Sequence, residues 1–167
     1  MFDKGDYVVY GGDGVFRVEE IGPLDISGIP ATQMFYTLKP ISGRDSTVFS
    51  PIENEGSTIR PVMSKEDAKK LIDSIEEIEL LEIPDDKKRE IVFKESLRKY
   101  DNFELIRIMK TLIRRRDEKL AAGKKVTALD EKYYHIAEER LYGELTVALN
   151  MERGDVVKVV GDRIEGR

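Results

Sequence analysis

The chain has 167 residues, of which 40% are hydrophobic and 37% charged, with no cysteine, no tryptophan and a single histidine. That length suits one ordinary domain or two small ones, and the absence of cysteine excludes a disulfide framework and thiolate chemistry, as in a reducing cytoplasm. The net charge is −5, and neither a basic-then-apolar opening nor a run of about 18 apolar residues is present, so a soluble cytoplasmic protein is expected.

Residues 1–62 read as short strands. Tyr7-Val8-Val9-Tyr10 is aromatic and β-branched and stops at Gly11-Gly12-Asp13-Gly14. Val15-Phe16-Arg17-Val18-Glu19-Glu20-Ile21 alternates and stops at Gly22-Pro23. Met34-Phe35-Tyr36-Thr37-Leu38 and Ser46-Thr47-Val48-Phe49 follow, separated by Pro40 and a Ser42-Gly43-Arg44-Asp45 turn, and Thr58-Ile59-Arg60-Pro61-Val62 closes the set. Five strands at this turn-marked spacing predict an SH3- or Tudor-like five-stranded β-barrel.

The pattern turns helical at Ser64. Ser64-Lys65-Glu66-Asp67 offers a hydroxyl cap and an acidic first turn, and Leu71, Ile75, Ile78 and Leu81 recur at helical spacing until Pro84. Asp85 or Asp86 caps a second helix through Phe93, Leu97 and Tyr100. Asp101-Asn102 caps a third, whose apolar stripe is Leu105, Met109, Leu112, Ile113 and Leu120. After a loop at 121–126, Thr127-Ala128-Leu129-Asp130 reads as a capping box opening a long helix to Leu149, and a last helix spans 152–163 despite Gly154 and Gly161. The expected fold class is α+β: a barrel over 1–62, a connecting helix over 63–84, and a compact all-helical domain over 85–163. Ile164-Glu165-Gly166-Arg167 resembles a protease-recognition tetrapeptide and is set aside from the fold.

Catalytic chemistry has little to work with. His135 sits in the long helix with no second imidazole or thiolate to complete a transition-metal site, so it reads as a packing or surface residue. Gly11-Gly12-Asp13-Gly14 lacks the Lys-Ser/Thr of a phosphate-binding loop and precedes no helix, which leaves a hairpin turn. The run Glu76-Glu77-Ile78-Glu79 reads as a solvated helix face. No enzyme, cofactor, metal or small-molecule substrate is expected.

Charge is distributed unevenly. Residues 84–125 carry 14 basic and 8 acidic side chains, whereas the segments before and after are acidic. Screening makes such an island act locally, within roughly 8 Å at physiological salt. At 100° per residue Lys87, Lys94 and Arg98 form a row along the second helix. Arg107, Lys110 and Arg114 share a side of the third, away from its apolar stripe. Arg114-Arg115-Arg116, Lys119 and the loop pair Lys124-Lys125 follow. Helix-dipole compensation and surface pairing with Asp117 and Glu118 account for part of this; contact with DNA phosphates accounts for the excess.

Gly5-Asp6-Tyr7-Val8-Val9-Tyr10 followed by Gly14-Val15-Phe16-Arg17-Val18-Glu19-Glu20-Ile21 resembles the opening of CarD/CdnL proteins, bacterial transcription regulators whose N-terminal module recurs in transcription-repair coupling factors. Phe35-Tyr36-Thr37-Leu38-Lys39 and Thr47-Val48-Phe49-Ser50-Pro51 are similar to its later strands. Leu112-Ile113-Arg114-Arg115-Arg116-Asp117 and the stretch from Leu141-Tyr142-Gly143-Glu144 to Leu149 are similar to the family's helical domain. The resemblance implies a barrel that holds the RNA polymerase β subunit by β-augmentation, and a helical domain that contacts promoter DNA at the upstream edge of the melted bubble and stabilises the open complex. Met34, Phe35, Tyr36, Thr37 and Leu38, with Thr47, Val48, Phe49, Ser50 and Pro51, are then the polymerase-facing candidates. Lys88, Arg89, Arg114, Arg115 and Arg116 fall where the family's DNA-facing residues lie. The chain departs from the family in having Gly11-Gly12-Asp13-Gly14 for a Pro-x-His-Gly turn. It also has no tryptophan where many members place one, the matching stretch being Asp85-Asp86-Lys87-Lys88-Arg89. Phosphate contacts then hold the DNA, since Phe93, the other candidate side chain, reads as buried. The alternative is a protein-interaction adaptor with an SH3-like module that does not bind DNA.

Overall fold

The computed structural model describes residues 1–54 and 58–166. The chain divides into two units, Met1–Val62 and Met63–Arg167, each built around its own hydrophobic core.

In the first unit the strands are β1 (Tyr7–Tyr10), β2 (Val15–Gly22), β3 (Phe35–Pro40), β4 (Val48–Pro51) and β5 (Ile59–Pro61). All pairings are antiparallel and the strand order is β4-β3-β2-β1-β5, a meander with its last strand returned beside the first. This is the arrangement of a small SH3/Tudor-like barrel. The register of β2 against β3 shifts between Val18 and Glu20. One extra residue there reverses which side chains face inward: Phe16 and Val18 enter the core before the shift, Ile21 packs on it after. Such a bulge also bends the strand, which lets a long β2 follow a curled sheet. Val8, Phe16, Val18, Tyr36, Leu38 and Ile59 form the core. Each large side chain buried there contributes about 1.5–3 kcal/mol. Tyr36 is fully buried, and its hydroxyl accepts a hydrogen bond from the Phe2 amide at 3.1 Å.

The second unit comprises α1 (Lys65–Ser74), α2 (Arg89–Leu97), α3 (Asn102–Ala121), α4 (Ala128–Leu149) and α5 (Arg153–Ile164), with 3-10 turns at Ile75–Glu77 and Asp86–Lys88. Three of the expected caps form, whereas Asp85 caps the 3-10 turn before α2 rather than α2 itself, which starts after Lys88 without a side-chain cap. Ser64 accepts from the Asp67 amide, Asp101 from that of Phe103 and Thr127 from that of Asp130. Buried apolar residues recur every fourth position, as in Tyr133, Ala137, Leu141 and Leu145 on α4 and Val156, Val160 and Ile164 on α5, which is the spacing that keeps one helix face against a core. Ile106, Ile108 and Met109 of α3 and Phe93 of α2 complete it. Glu144, 2% exposed, accepts from Asn102 Nδ2 at 3.0 Å and from the Met63 amide at 2.9 Å, fastening the chain's entry into α1 to α3 and α4.

Four expectations are corrected. Residues 63–84 are not a separate connector, because Ala68, Leu71, Ile72 and Ile75 lie in the core of the helical unit. The helix ends at Ser74 rather than near Pro84; Glu76, Glu77 and Glu79 would oppose the negative end of its dipole, and the chain continues through a 3-10 turn instead. Leu120 is 59% exposed and Tyr100 lies beyond the end of α2, 49% exposed, so neither belongs to an apolar stripe. Ile164 is the last buried residue of α5, so the C-terminal tetrapeptide contributes to the fold; Arg167 lies outside the described residues.

Ile106→Ala is therefore expected to cost about 2–5 kcal/mol by loss of buried area plus a residual cavity, whereas Leu120→Ala stays within about 0.5 kcal/mol. Urea denaturation followed by circular dichroism separates the two.

Candidate interaction surfaces

Among the described residues β4 pairs with β3 alone, so one side of its main chain is free. Which groups it offers follows from the register. The Ile52 amide donates to Met34 O at 3.1 Å, so Met34 and Ile52 are a hydrogen-bonded pair. Such pairs alternate along an antiparallel ladder, which places Tyr36 with Ser50 and Leu38 with Val48 in the bonded set. Phe49 and Pro51 fall between them, consistent with Pro51 having no N–H to give. The N–H and C=O of Phe49 therefore point away from β3, to the open margin. Its ring, 45% exposed, stands on the outer face beside Thr37. Met34, 41% exposed, lies just before β3.

This sorts the polymerase-facing candidates. Thr47, Phe49 and Met34 are exposed, and Val48, Pro51 and Thr37 are half-buried. Phe35, Tyr36, Leu38 and Ser50 are buried, and β3 has neighbours on both sides, so its main chain has nothing left to pair. Tyr36 and Leu38 belong to the core and drop out of the set. An unbroken apolar run does not tell a central strand from an edge strand, which is why both strands qualify on sequence.

The basic island is divided in the same way. Arg89 and Arg115 are 15% and 17% exposed and converge on Asp130, which is 3% exposed. Arg89 Nε reaches Asp130 Oδ1 at 2.9 Å and Arg115 Nε reaches Oδ2 at 3.0 Å. Arg115 Nη1 also donates to Asp86 at 2.7 Å, a bond that holds the Asp86 carboxyl below the usual carboxylate range. Burial disfavours the Arg115 cation, but its bonds to Asp130 and Asp86 outweigh this and raise its pKa. These two arginines are structural. Lys110 Nζ donates to the carbonyls of Ile75, Glu76 and Ile78 at 2.9, 3.4 and 2.6 Å, closing the end of α1. Burial lowers its pKa. Arg107 donates to the Glu79 and Leu80 carbonyls and to Glu104. Arg116 is shared between Asp117 and Glu165. The face formed by Arg107 and Lys110 is thus engaged with residues 75–80.

What remains is a smaller surface. Among the described residues Lys87, Lys88, Arg98, Lys124 and Lys125 are exposed with no ion-pair partner, and half-buried Lys119 acts on Asp86 only at long range. Lys94 approaches Glu90 only to 4.0 Å and Arg114 pairs loosely with Glu118 at 3.3 Å, both largely in solvent. Exposed pairs of that kind are worth about 0–1 kcal/mol and yield readily to a phosphate. Lys87 and Lys88 lie in the 3-10 turn before α2, Lys94 and Arg98 along and just past it. Lys119, Lys124 and Lys125 gather at the far end of α3. Arg115, one turn before Lys119 on α3, bonds Asp86 and so ties α3 to the turn that carries Lys87 and Lys88. Sequence reasoning does not find Asp130 as a charge centre. Its one signal is the capping box, and the residue's second duty, holding two arginines, leaves no further mark.

His135 is exposed. With Glu138 and Glu139 it forms a group of three potential ligand atoms within 4.8 Å, but Glu138 already faces the imidazole and Glu139 is held by Arg153. No helix among the described residues is long and apolar enough to cross a membrane.

A curled five-stranded sheet with β4 and β5 as its edge strands makes the first unit a small barrel. Residues 2–63 match the family model of the CarD-like/TRCF RID domain, and the N-terminal unit belongs to that family. Its domain type interacts with RNA polymerase, which gives the unit a transcription-related role. No curated protein matches the chain.

Asp130→Ala strands two partly buried guanidiniums and is expected to destabilise the helical unit by about 3 kcal/mol, read from urea midpoints. A pH dependence follows from Glu104. Burial works against its charge, but bonds from Ser96 and Arg107 prevail and lower its pKa from 4.5. A depressed carboxylate stabilises fully above its unfolded value and loses that contribution as pH falls through its folded one. The loss of stability below pH 4.5 is accordingly expected to flatten in Glu104→Gln, as seen by thermal melts across pH 3–6.

Proposed function

We propose that the protein is a non-enzymatic transcription regulator that binds the RNA polymerase β subunit through the free margin of β4 and holds promoter DNA near the upstream edge of the bubble with its helical unit. The observation that carries this reading is the open β4 strand on a domain of the CarD-like/TRCF RID type. Strand addition draws its affinity from main-chain hydrogen bonds, and the outward N–H and C=O of Phe49 supply the central pair. Pro51 ends the recognition strip, because a proline has no N–H to give an added strand.

DNA is held by phosphate contacts from Lys87, Lys88, Lys94 and Arg98, with Arg114, Lys119, Lys124 and Lys125 as the second group. Arg89, Arg107, Lys110 and Arg115 build the scaffold that presents them. Binding the melted promoter better than the closed one shifts that equilibrium by the difference in affinity alone, which stabilises the open complex without any chemistry. The adaptor reading, in which the helical unit never meets DNA, draws its support from the same four engaged cations.

Phe49→Pro removes one outward N–H and leaves the β3–β4 ladder bonds in place. It is expected to weaken binding to a polymerase β fragment about tenfold or more, the worth of one or two main-chain hydrogen bonds, with the melting temperature little changed. Equal affinity would remove β4 as the docking strand. Lys94→Glu with Arg98→Glu is expected to reduce the salt slope of DNA binding by about 0.9 for each phosphate no longer neutralised, measured by anisotropy on a promoter fragment; an unchanged slope favours the adaptor.

A further inference from the structure

Four helices of the second unit end in a residue with left-handed backbone. After α3 it is Gly123 at φ 73°, after α4 Asn150 at φ 51° and after α5 Gly166 at φ 78°. Glycine and asparagine accept this conformation readily. After α2 it is Tyr100 at φ 49°, where a bulky side chain is out of place. Its side chain lies outside the hydrophobic core and is 49% exposed. Three residues on, Phe103 at the start of α3 is 48% exposed. Two aromatic rings thus stand in solvent on one tight corner, held by the Tyr100 amide donating to Leu97 O and by Asp101 capping α3.

The charges around that corner select a partner. Arg98 lies two residues before Tyr100, exposed and outside the ion pairs of the helical unit, Lys94 is one turn further back, and Lys87 and Lys88 continue the row. Ile91, 55% exposed, sits within it. Of the acids nearby, Asp101 and Asp85 are occupied by capping and Asp86 by Arg115, and on α2 itself Glu95 is the exposed one. A cationic track ending at exposed aromatic rings fits a polyanion with planar, sequence-tolerant faces, which is a nucleic acid strand with unstacked bases.

We propose that Tyr100 and Phe103 are a stacking site for unpaired bases of a melted DNA strand whose phosphates run along Lys94 and Arg98. The inference rests on the DNA-binding reading above and adds what that surface discriminates: open DNA from closed. Phosphate contacts alone bind duplex and bubble alike, whereas base stacking is available only where pairing is lost.

The test uses the full chain with two labelled probes of one length, a blunt duplex and the same duplex carrying a bubble of unpaired thymines. The wild-type protein is expected to prefer the bubble. Tyr100→Gly relieves the backbone and is expected to melt no lower than wild type; Phe103→Ala removes the second ring from an exposed position. Each is expected to weaken bubble binding about tenfold with duplex binding unchanged, while Tyr100→Phe retains the preference. Variants that keep the wild-type preference for the bubble, or that lose affinity for both probes equally, overturn the stacking site and leave the phosphate surface standing. Weakened capture of the polymerase fragment with unaltered DNA binding overturns it in favour of a protein contact. A wild-type protein that binds neither probe overturns the DNA-binding reading and the stacking site together.

Discussion

The helical unit is organised around one buried carboxylate. Asp130 receives Arg89 from the start of α2 and Arg115 from the middle of α3, each on its own oxygen, and Thr127 beside it caps α4. Burying a charge costs several kcal/mol unless the geometry of its partners restores what water gave it. Guanidinium suits the task, since it stays charged, is weakly hydrated and presents donors in a rigid plane. Asp86 extends the cluster outward by bonding Arg115. The turn that carries Lys87 and Lys88 is thereby pinned from within. A surface lysine is useful in recognition only if the backbone under it is fixed, and here the fixing is done by arginines that are themselves withdrawn from the surface.

A count of basic residues therefore overstates the surface they make. Of the cations in residues 84–125, Arg89 and Arg115 serve Asp130, while Arg107 and Lys110 serve the carbonyls at 75–80. The last two solve a problem posed by the sequence of α1. That helix has no basic residue in its final turn and three glutamates just beyond it, so the positive charge its C-terminus calls for comes from α3. The exposed remainder is smaller, and it is concentrated where the neighbouring acids are already occupied. An overall charge of −5 is no obstacle to such a surface, because screening confines each region's field to its own neighbourhood.

The sequence carries the fold further than the site. Strand runs, glycine-proline stops and the hydroxyl and carboxylate caps at Ser64, Asp101 and Thr127 are local signals, and local physics decides them. Residues 63–84 look like a connector on sequence because a helix that joins and a helix that packs have the same apolar period; only the partner distinguishes them. Leu120 and Tyr100 continue an apolar pattern beyond the point where the core stops. For the site, spacing on a helix identifies which cations share a face, but not that the face of Arg107 and Lys110 is covered by a segment some thirty residues earlier in the chain. The open margin of β4 is similarly hidden, since which strand is an edge depends on topology, and β3 is more apolar than the strand that is free.

The two surfaces have complementary weaknesses. An edge strand as short as Val48–Pro51 supplies few main-chain bonds, and phosphate contacts lose affinity steeply with salt. Only three residues separate β5 from α1, and on the proposed reading this short link raises the effective concentration of one surface when the other is engaged. On the proposed reading this coupling has a further consequence. The docking strand reads the polymerase and the cations read any phosphate backbone, so neither alone distinguishes a melted promoter from a closed one. Discrimination must come from groups that meet something present only in the open state. The exposed rings at the α2–α3 corner are proposed to supply it, and Tyr100 takes up its place at a backbone conformation that glycine would adopt without strain.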